Sequence, residues 1–212
     1  MQKYKKISNH ANHDVFFSYF CSMNINEAIR LTVDALRQGK TILYPTDTIW
    51  GVGCDARNRD AIERLYALKE RDHSKSMLVL VAEIPNNLSI LNNLIAPTDR
   101  PTTYILPEEH WRSLLGNGIA DNLAAADGSL GIRIPRHPFC QEVIRQLGAP
   151  LVSTSANLSG RPSPKNYNEI EEELRRRVDF CVPPLPELLS EETRGSRIVK
   201  ILPDGSQTVI RP

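Results

Sequence analysis

The chain has 212 residues, with 26 Lys and Arg against 25 Asp and Glu for a net charge of +1, and is 41% hydrophobic and 24% charged. That length supports one sizeable core, and the balanced charge argues against a globally basic nucleic-acid binder, so any anionic ligand must meet a local patch. Cys21, Cys54, Cys140 and Cys181 form no Cys-x-x-Cys pair and have no His at ligand spacing, which argues against a zinc site or a disulfide framework and fits a reducing cytoplasm.

Lys3, Lys5 and Lys6 followed by the apolar run at 15–21 imitate a signal peptide, but His10, His13 and Asp14 intervene and no small-x-small site follows. Residues 1–22 are therefore expected to be an extension, and residues 23–212 the folded domain. No stretch is long and apolar enough to cross a bilayer. Asn24-Ile25-Asn26-Glu27 has the form of a capping box, and Ile25, Ile29, Val33 and Leu36 keep helical spacing until Gly39. A β-favouring run at 41–44 stops at Pro45. The segment 45–53 then reads as a polar turn, with Gly51 and Gly53 in a tight connection towards a second helix at 58–69. Residues 77–81 predict a buried strand, 85–100 one short helix, and 103–106 another strand, whereas 107–128 has no clear pattern. A strand at 130–134 precedes a helix that Pro138 opens and Gly148 closes. A strand at 151–154 runs into a loop rich in Ser and Asn. The spacing predicts a helix over 168–177, in which Glu171, Glu172 and Glu173 each precede an arginine by four residues. Strands at 180–182, 197–201 and 208–210 follow, the last two joined through Pro203-Asp204-Gly205 as a hairpin. Alternating helices and strands place the chain in the α/β class with a mixed sheet.

Two polar segments follow strands at their carboxyl ends, where open α/β sheets bind ligands. Thr46-Asp47-Thr48 is one, and Ser153 to Ser159 is the other. The second offers hydroxyls and a carboxamide to phosphate or ribose oxygens, or equally caps the next segment as an ordinary Ser/Thr turn. Neither G-x-G-x-x-G nor a P-loop occurs. Lys69, Arg71 and Lys75 can neutralise a triphosphate, but Glu70 and Asp72 interleave with them, so a mixed-charge helix end remains open. Arg133, inside a β-favouring run, lies either on a solvated sheet face or in a cleft that binds a carboxylate or phosphate. Ser196 begins a strand and Arg211 follows another. His137 has no Ser or Cys partner at a nucleophile elbow and reads as a helix-start residue.

Together, Tyr44-Pro45-Thr46-Asp47-Thr48 to Gly53, Leu68-Lys69-Glu70-Arg71, the run Gly131-Ile132-Arg133-Ile134-Pro135-Arg136-His137-Pro138, and 150–164 with Ser155-Ala156-Asn157 resemble the threonylcarbamoyl-AMP synthase family, the YrdC-like proteins. The resemblance covers 25–211. It implies an α/β fold, a twisted mixed sheet with flanking helices and a concave basic cavity. It also implies a cytoplasmic enzyme that condenses L-threonine, bicarbonate or CO2, and ATP into threonylcarbamoyl-AMP and pyrophosphate, for threonylcarbamoyladenosine in tRNA. Mg2+ would travel with ATP, and no protein ligand for it is assigned. Further partners would be the machinery that transfers the threonylcarbamoyl group, and tRNA itself. By motif, Lys69 and Arg71 are the catalytic K-x-R pair and Ser155 and Asn157 the S-x-N pair. Arg71, Lys75, Ser129, Ser155, Asn157, Ser163 and Arg211 would hold ATP. Thr48, Arg133 and Ser196 would hold threonine, with Arg133 on its carboxylate.

Two departures from the family pattern stand out. Its usual Trp-Pro-Gly-Pro before a Leu-Thr strand is here Thr98-Asp99-Arg100-Pro101-Thr102-Thr103, which alters one cavity wall. Its usual Ser-Thr-Ile is Ser196-Arg197-Ile198, which is expected to put a cation beside the threonine site. Ending at Pro212, the chain reads as the short, single-domain type. The alternative is an RNA-binding or ribosome-assembly factor using the same basic cavity without turnover, a reading weakened by 6% aromatics and no aromatic run for base stacking.

Overall fold

A computed structural model describes residues 23–72, 77–95, 98–190 and 194–212. The extension expected at 1–22 and Lys75 lie outside these residues. Helix α1 (Ile25–Arg37) begins where Asn24 Oδ1 accepts from the Glu27 N–H at 3.0 Å. It ends before Gly39, whose positive φ of 71° suits a residue without a side chain. Strand β1 (Ile42–Tyr44) is cut by Pro45. The chain then turns back into β2 (Gly51–Asp55), antiparallel to β1.

This strand replaces the tight connection expected at Gly51 and Gly53. It is buried throughout, so no polar alternation marks it in the sequence. The glycines are there for close packing. A Cβ on Gly53 would collide with the Val152 carbonyl and lie 3.2 Å from the Tyr44 ring. Gly53→Ala is expected to cost about 3 kcal/mol of unfolding free energy by overpacking between backbone and ring. Urea titration checks this, and a loss below ~0.5 kcal/mol, the range of an unconstrained surface site, would contradict it.

Helix α2 (Arg59–Lys69) is capped by Asn58 and leads to β3 (Leu78–Leu80), the short α3 (Ser89–Leu94) and β4 (Thr102–Leu106). Helix α4 (Glu108–Leu115) occupies part of the unpatterned stretch. Trp111 is its one buried side chain, too little to write an amphipathic stripe. Next come β5 (Leu130–Arg133), α5 (Pro138–Leu147) and β6 (Leu151–Ser155), which runs one residue past the strand expected at 151–154. The helix expected over 168–177 is broken into a 3-10 turn (Tyr167–Glu169) and α6 (Glu172–Arg177). Ile170, 2% exposed, is extended between them because it is drawn into the core. Glu171 pairs with Arg161, and Arg175 stacks over Tyr167, while Glu172–Arg176 and Glu173–Arg177 pair as spaced. Strands β7 (Phe180–Cys181), β8 (Arg197–Ile201) and β9 (Gln207–Arg211) complete the chain, after a second 3-10 turn at Pro186–Leu188.

The nine strands form one mixed sheet in the order β7-β1-β2-β6-β3-β5-β4-β8-β9. Successive strand residues enter opposite cores. Ile42, Tyr44, Leu80 and Leu151 pack with α1 and α5, whereas Leu43, Val52, Val79, Ile132 and Val152 pack with α2, α4 and α6. The face that carries α1 and α5 is only partly covered. Cross-strand register continues that face through Gly51, Ser153, Leu78, Gly131 and Ile105, the floor of the cavity described next. No helix among the described residues is long and apolar enough to cross a membrane.

Candidate active site

The cavity has a volume of about 320 Å³. In its floor Gly51, Ser153 and Gly131 leave room that a Leu or Val at those positions would fill. A Cβ on Gly51 would come within 3.3 Å of Ser153 Oγ, and one on Gly131 within 3.3 Å of Leu78. Among the described residues, the charged ones lining it are Arg71, Arg133 and Arg211, with no carboxylate. Burial lowers the Arg71 pKa. Burial, then Arg133 and Arg100, lower that of Arg211. Guanidinium groups nevertheless remain charged. Mutual repulsion in a partly desolvated hollow favours an anionic guest.

One end of the cavity is built around Arg133, 4% exposed at the end of β5. Its Nη1 donates to Thr48 Oγ1 at 3.0 Å and its Nη2 to Asp47 Oδ1 at 2.8 Å. The β1–β2 turn that supplies these partners is folded on itself. Thr46 Oγ1 donates to the Ile49 carbonyl at 2.7 Å and accepts from the Thr48 N–H at 3.1 Å. Asp47 Oδ2 also accepts from the Arg136 N–H, so the carboxylate fixes the guanidinium to the start of α5. On the adjoining wall Ser196 Oγ is 2.7 Å from Thr103 Oγ1, and the Ser196 carbonyl accepts from Arg211 Nε and Nη2 at 2.8 and 2.5 Å. Arg197 is not beside this end. Alternation along β8 puts Ser196 and Ile198 on the cavity side and Arg197 on the opposite face, near Tyr104. Thr103 keeps the altered 98–103 segment within the cavity wall.

Arg71, Ser155 and Ser163 line the other end. Glu70, between Lys69 and Arg71, caps α2 in the left-handed region with φ 50°. This turn sends the two cations apart, Arg71 to the cavity and Lys69 into the protein. Lys69 is 1% exposed, and its Nζ donates to the Ser155 carbonyl at 2.5 Å and to the Asn157 carbonyl. In return the Ser159 N–H donates to the Lys69 carbonyl at 3.0 Å. Burial, then Arg71, lower the Lys69 pKa to about 8. Asn157 Nδ2 donates to the carbonyls of Leu158 and Arg161, and Ser163 Oγ lies 3.5 Å from Asn157 Oδ1.

Of the site residues expected from sequence, Thr48, Arg71, Arg133, Ser155, Ser163, Ser196 and Arg211 line one cavity. Lys69 and Asn157 do not. Lys69 is consumed in stapling the Ser155 loop to the end of α2 and the Asn157 carboxamide in bracing that loop on itself, because each is buried and needs the backbone partners it has. Ser129 also stands outside the lining, its hydroxyl donating to Asp127 Oδ1 at 2.6 Å. His137 starts α5 as expected, and its Nε2 is 3.0 Å from the Leu188 carbonyl. Sequence reasoning missed Tyr44 and Thr103, which read as ordinary strand residues, and it counted Asp47 and Ser153 only within their polar segments, with no role of their own. The lining contains no His, Cys, Asp or Glu, so the site offers charge neutralisation and hydrogen bonding with no nucleophile–base pair among the described residues. The described residues also hold no His, Cys, Asp and Glu cluster suited to a metal.

The family model for Sua5/YciO/YrdC proteins, described as telomere recombination, matches residues 34–212. A threonylcarbamoyl-AMP synthase of Methylococcus capsulatus is 32% identical over 163 residues, covering 73% of this chain and 84% of that protein. One from Photobacterium profundum is 31% identical over 194 residues, with coverages of 86% and 97%. Among solved structures, P. abyssi Sua5 complexed with L-threonine matches with a TM-score of 0.69 at 22% identity. The match takes in 90% of this chain and 55% of that longer one. E. coli YciO matches with a TM-score of 0.64 at 21% identity, over 89% of both chains. At these identities the structural likeness speaks for the fold.

Proposed function

We propose that this chain, which belongs to the Sua5/YciO/YrdC family, is an enzyme that makes threonylcarbamoyl-AMP from L-threonine, bicarbonate and ATP for threonylcarbamoyladenosine in tRNA. The observation that carries the reading is a cavity whose charged lining, among the described residues, is all arginine, with one guanidinium at the hydroxyl end and another held by Asp47 at the opposite end. A polyphosphate suits the first end and an amino-acid carboxylate the second. The relatives named threonylcarbamoyl-AMP synthase supply the reaction.

In this reading Arg71, Ser155 and Ser163 hold the phosphates, Arg133, Thr48 and Ser196 hold threonine, and Arg211, fixed to the Ser196 carbonyl, meets the nucleotide from the threonine end. The threonine amine attacks the bicarbonate carbon, forming the N–C bond of a carbamate and releasing water. A carbamate oxygen then attacks the α-phosphorus, and the bond to the β-phosphate oxygen breaks with pyrophosphate leaving. This is nucleotidyl transfer without a covalent enzyme intermediate, so its rate comes from orientation and neutralised charge. Among the described residues the lining carries no carboxylate, so Mg2+ would arrive on the phosphates. The test is pyrophosphate release by the pure chain. It is expected only with ATP, threonine and bicarbonate together, and release without threonine, or none at all, would overturn the reading.

A further inference from the structure

Tyr44 is fully buried at the end of β1, and its hydroxyl donates to Ser153 Oγ at 2.6 Å. Burial raises the phenol pKa far above its ordinary value, so it stays a donor throughout the working pH range. A serine hydroxyl has one proton and two lone pairs. With Tyr44 filling one lone pair, the Ser153 proton must turn elsewhere. Ser153 lines the cavity, and the space above its oxygen is open because Gly51 has no side chain. The buried phenol thus presets a serine O–H as a donor on the cavity floor.

Position along the sheet says what that donor meets. Ser153 is two residues before Ser155 on one face of β6, ~7 Å towards the Arg133 end. Its cross-strand neighbour Leu78 pairs with Gly131, two residues before Arg133. The donor therefore lies between the end assigned to phosphate and the end assigned to the amino-acid carboxylate. In the proposed reaction the one-carbon unit must pass there, since it is joined to threonine nitrogen on one side and to the α-phosphorus on the other.

Resting on that reaction, we infer that Ser153 is a binding residue for an oxygen of the bicarbonate-derived carbon, and that Tyr44 is the positioning residue that aims its hydroxyl. Ser153→Ala, Tyr44→Phe and the double variant test this in CO2-depleted buffer with titrated bicarbonate. Each single variant is expected to raise the bicarbonate KM about tenfold, as for loss of one aimed hydrogen bond. Dissociation constants for ATP and for threonine should stay within twofold. The double variant should match Ser153→Ala, because Tyr44 acts only through that hydroxyl. An unchanged bicarbonate KM in Ser153→Ala, equal rises for all three substrates, or additive losses in the double variant would overturn the inference while leaving the reaction standing. Should Tyr44→Phe lose its cooperative unfolding, Ser153→Ala at the cavity surface decides alone. A wild-type chain that turns over no threonine would remove both readings.

Discussion

Arg71→Ala is expected to lower kcat/KM for pyrophosphate release about 10²- to 10³-fold while the variant keeps a cooperative unfolding transition. The size follows from removing one preorganised charged donor from a site that stabilises a developing pyrophosphate. Arg71 extends from the cap of α2 into the cavity, and no lysine or second arginine lines that hydroxyl end among the described residues. The loss should fall on the reaction and on ATP affinity, with threonine affinity nearly unchanged, since the carboxylate end is built on separate strands. Arg71→Lys keeps the charge but not the fork, and should recover part of the rate. Near-wild-type turnover in the alanine variant would remove the polyphosphate from this end of the cavity.

Lys69→Met is expected to be as damaging, by another route. The ammonium does not line the cavity; it binds the carbonyls of Ser155 and Asn157. Without it the segment that presents Ser155 loses its fastening to α2, and kcat/KM should fall about 10²-fold because small misplacements of a binding group are costly. Unlike Arg71→Ala, this variant should show faster amide exchange at Ser159, whose N–H bonds the Lys69 carbonyl. Protection equal to wild type would return Lys69 to a direct role.

The lowered Lys69 pKa adds a pH signature with a definite sign. Its folded value is about 8, below the ordinary 10.5. Between those values the unfolded chain binds the proton more, so this group adds stability as pH rises through the window. The stability of wild type relative to Lys69→Met should therefore grow by up to about 1.4 kcal/mol per pH unit from pH 8 towards 10. ATP affinity should move the other way, weakening above pH 8 as the cation near Arg71 is lost. Parallel trends in the two quantities would contradict this account of Lys69.

Much of the fold is legible along the chain. The capping box of α1, the helical spacing of α1 and α2, Pro138 and Gly148 around α5, and the terminal hairpin all act locally, within a few residues of where they are written. What escapes is set by distant packing. Strand β2 has no alternation because both its faces are covered, and Gly53 is needed for an approach to Val152 a hundred positions away. The break at Ile170 comes from burial in the core, and the Glu–Arg spacing around it carries no sign of that. The site divides in the same way. Residue types in motifs point to Arg71, Arg133 and Ser155, yet the left-handed turn at Glu70 decides that Lys69 faces inward while Arg71 faces the ligand. Likewise, β8 alternation turns Arg197 away from the cavity although it adjoins Ser196.

The most direct measurement follows the carbon. With labelled bicarbonate, ATP and L-threonine, the pure chain is predicted to place label in a nucleotide that carries threonine, one label for each pyrophosphate released. Pyrophosphate formed without labelled nucleotide, or label appearing in the absence of threonine, would contradict the assignment of this cavity to threonylcarbamoyl-AMP synthesis.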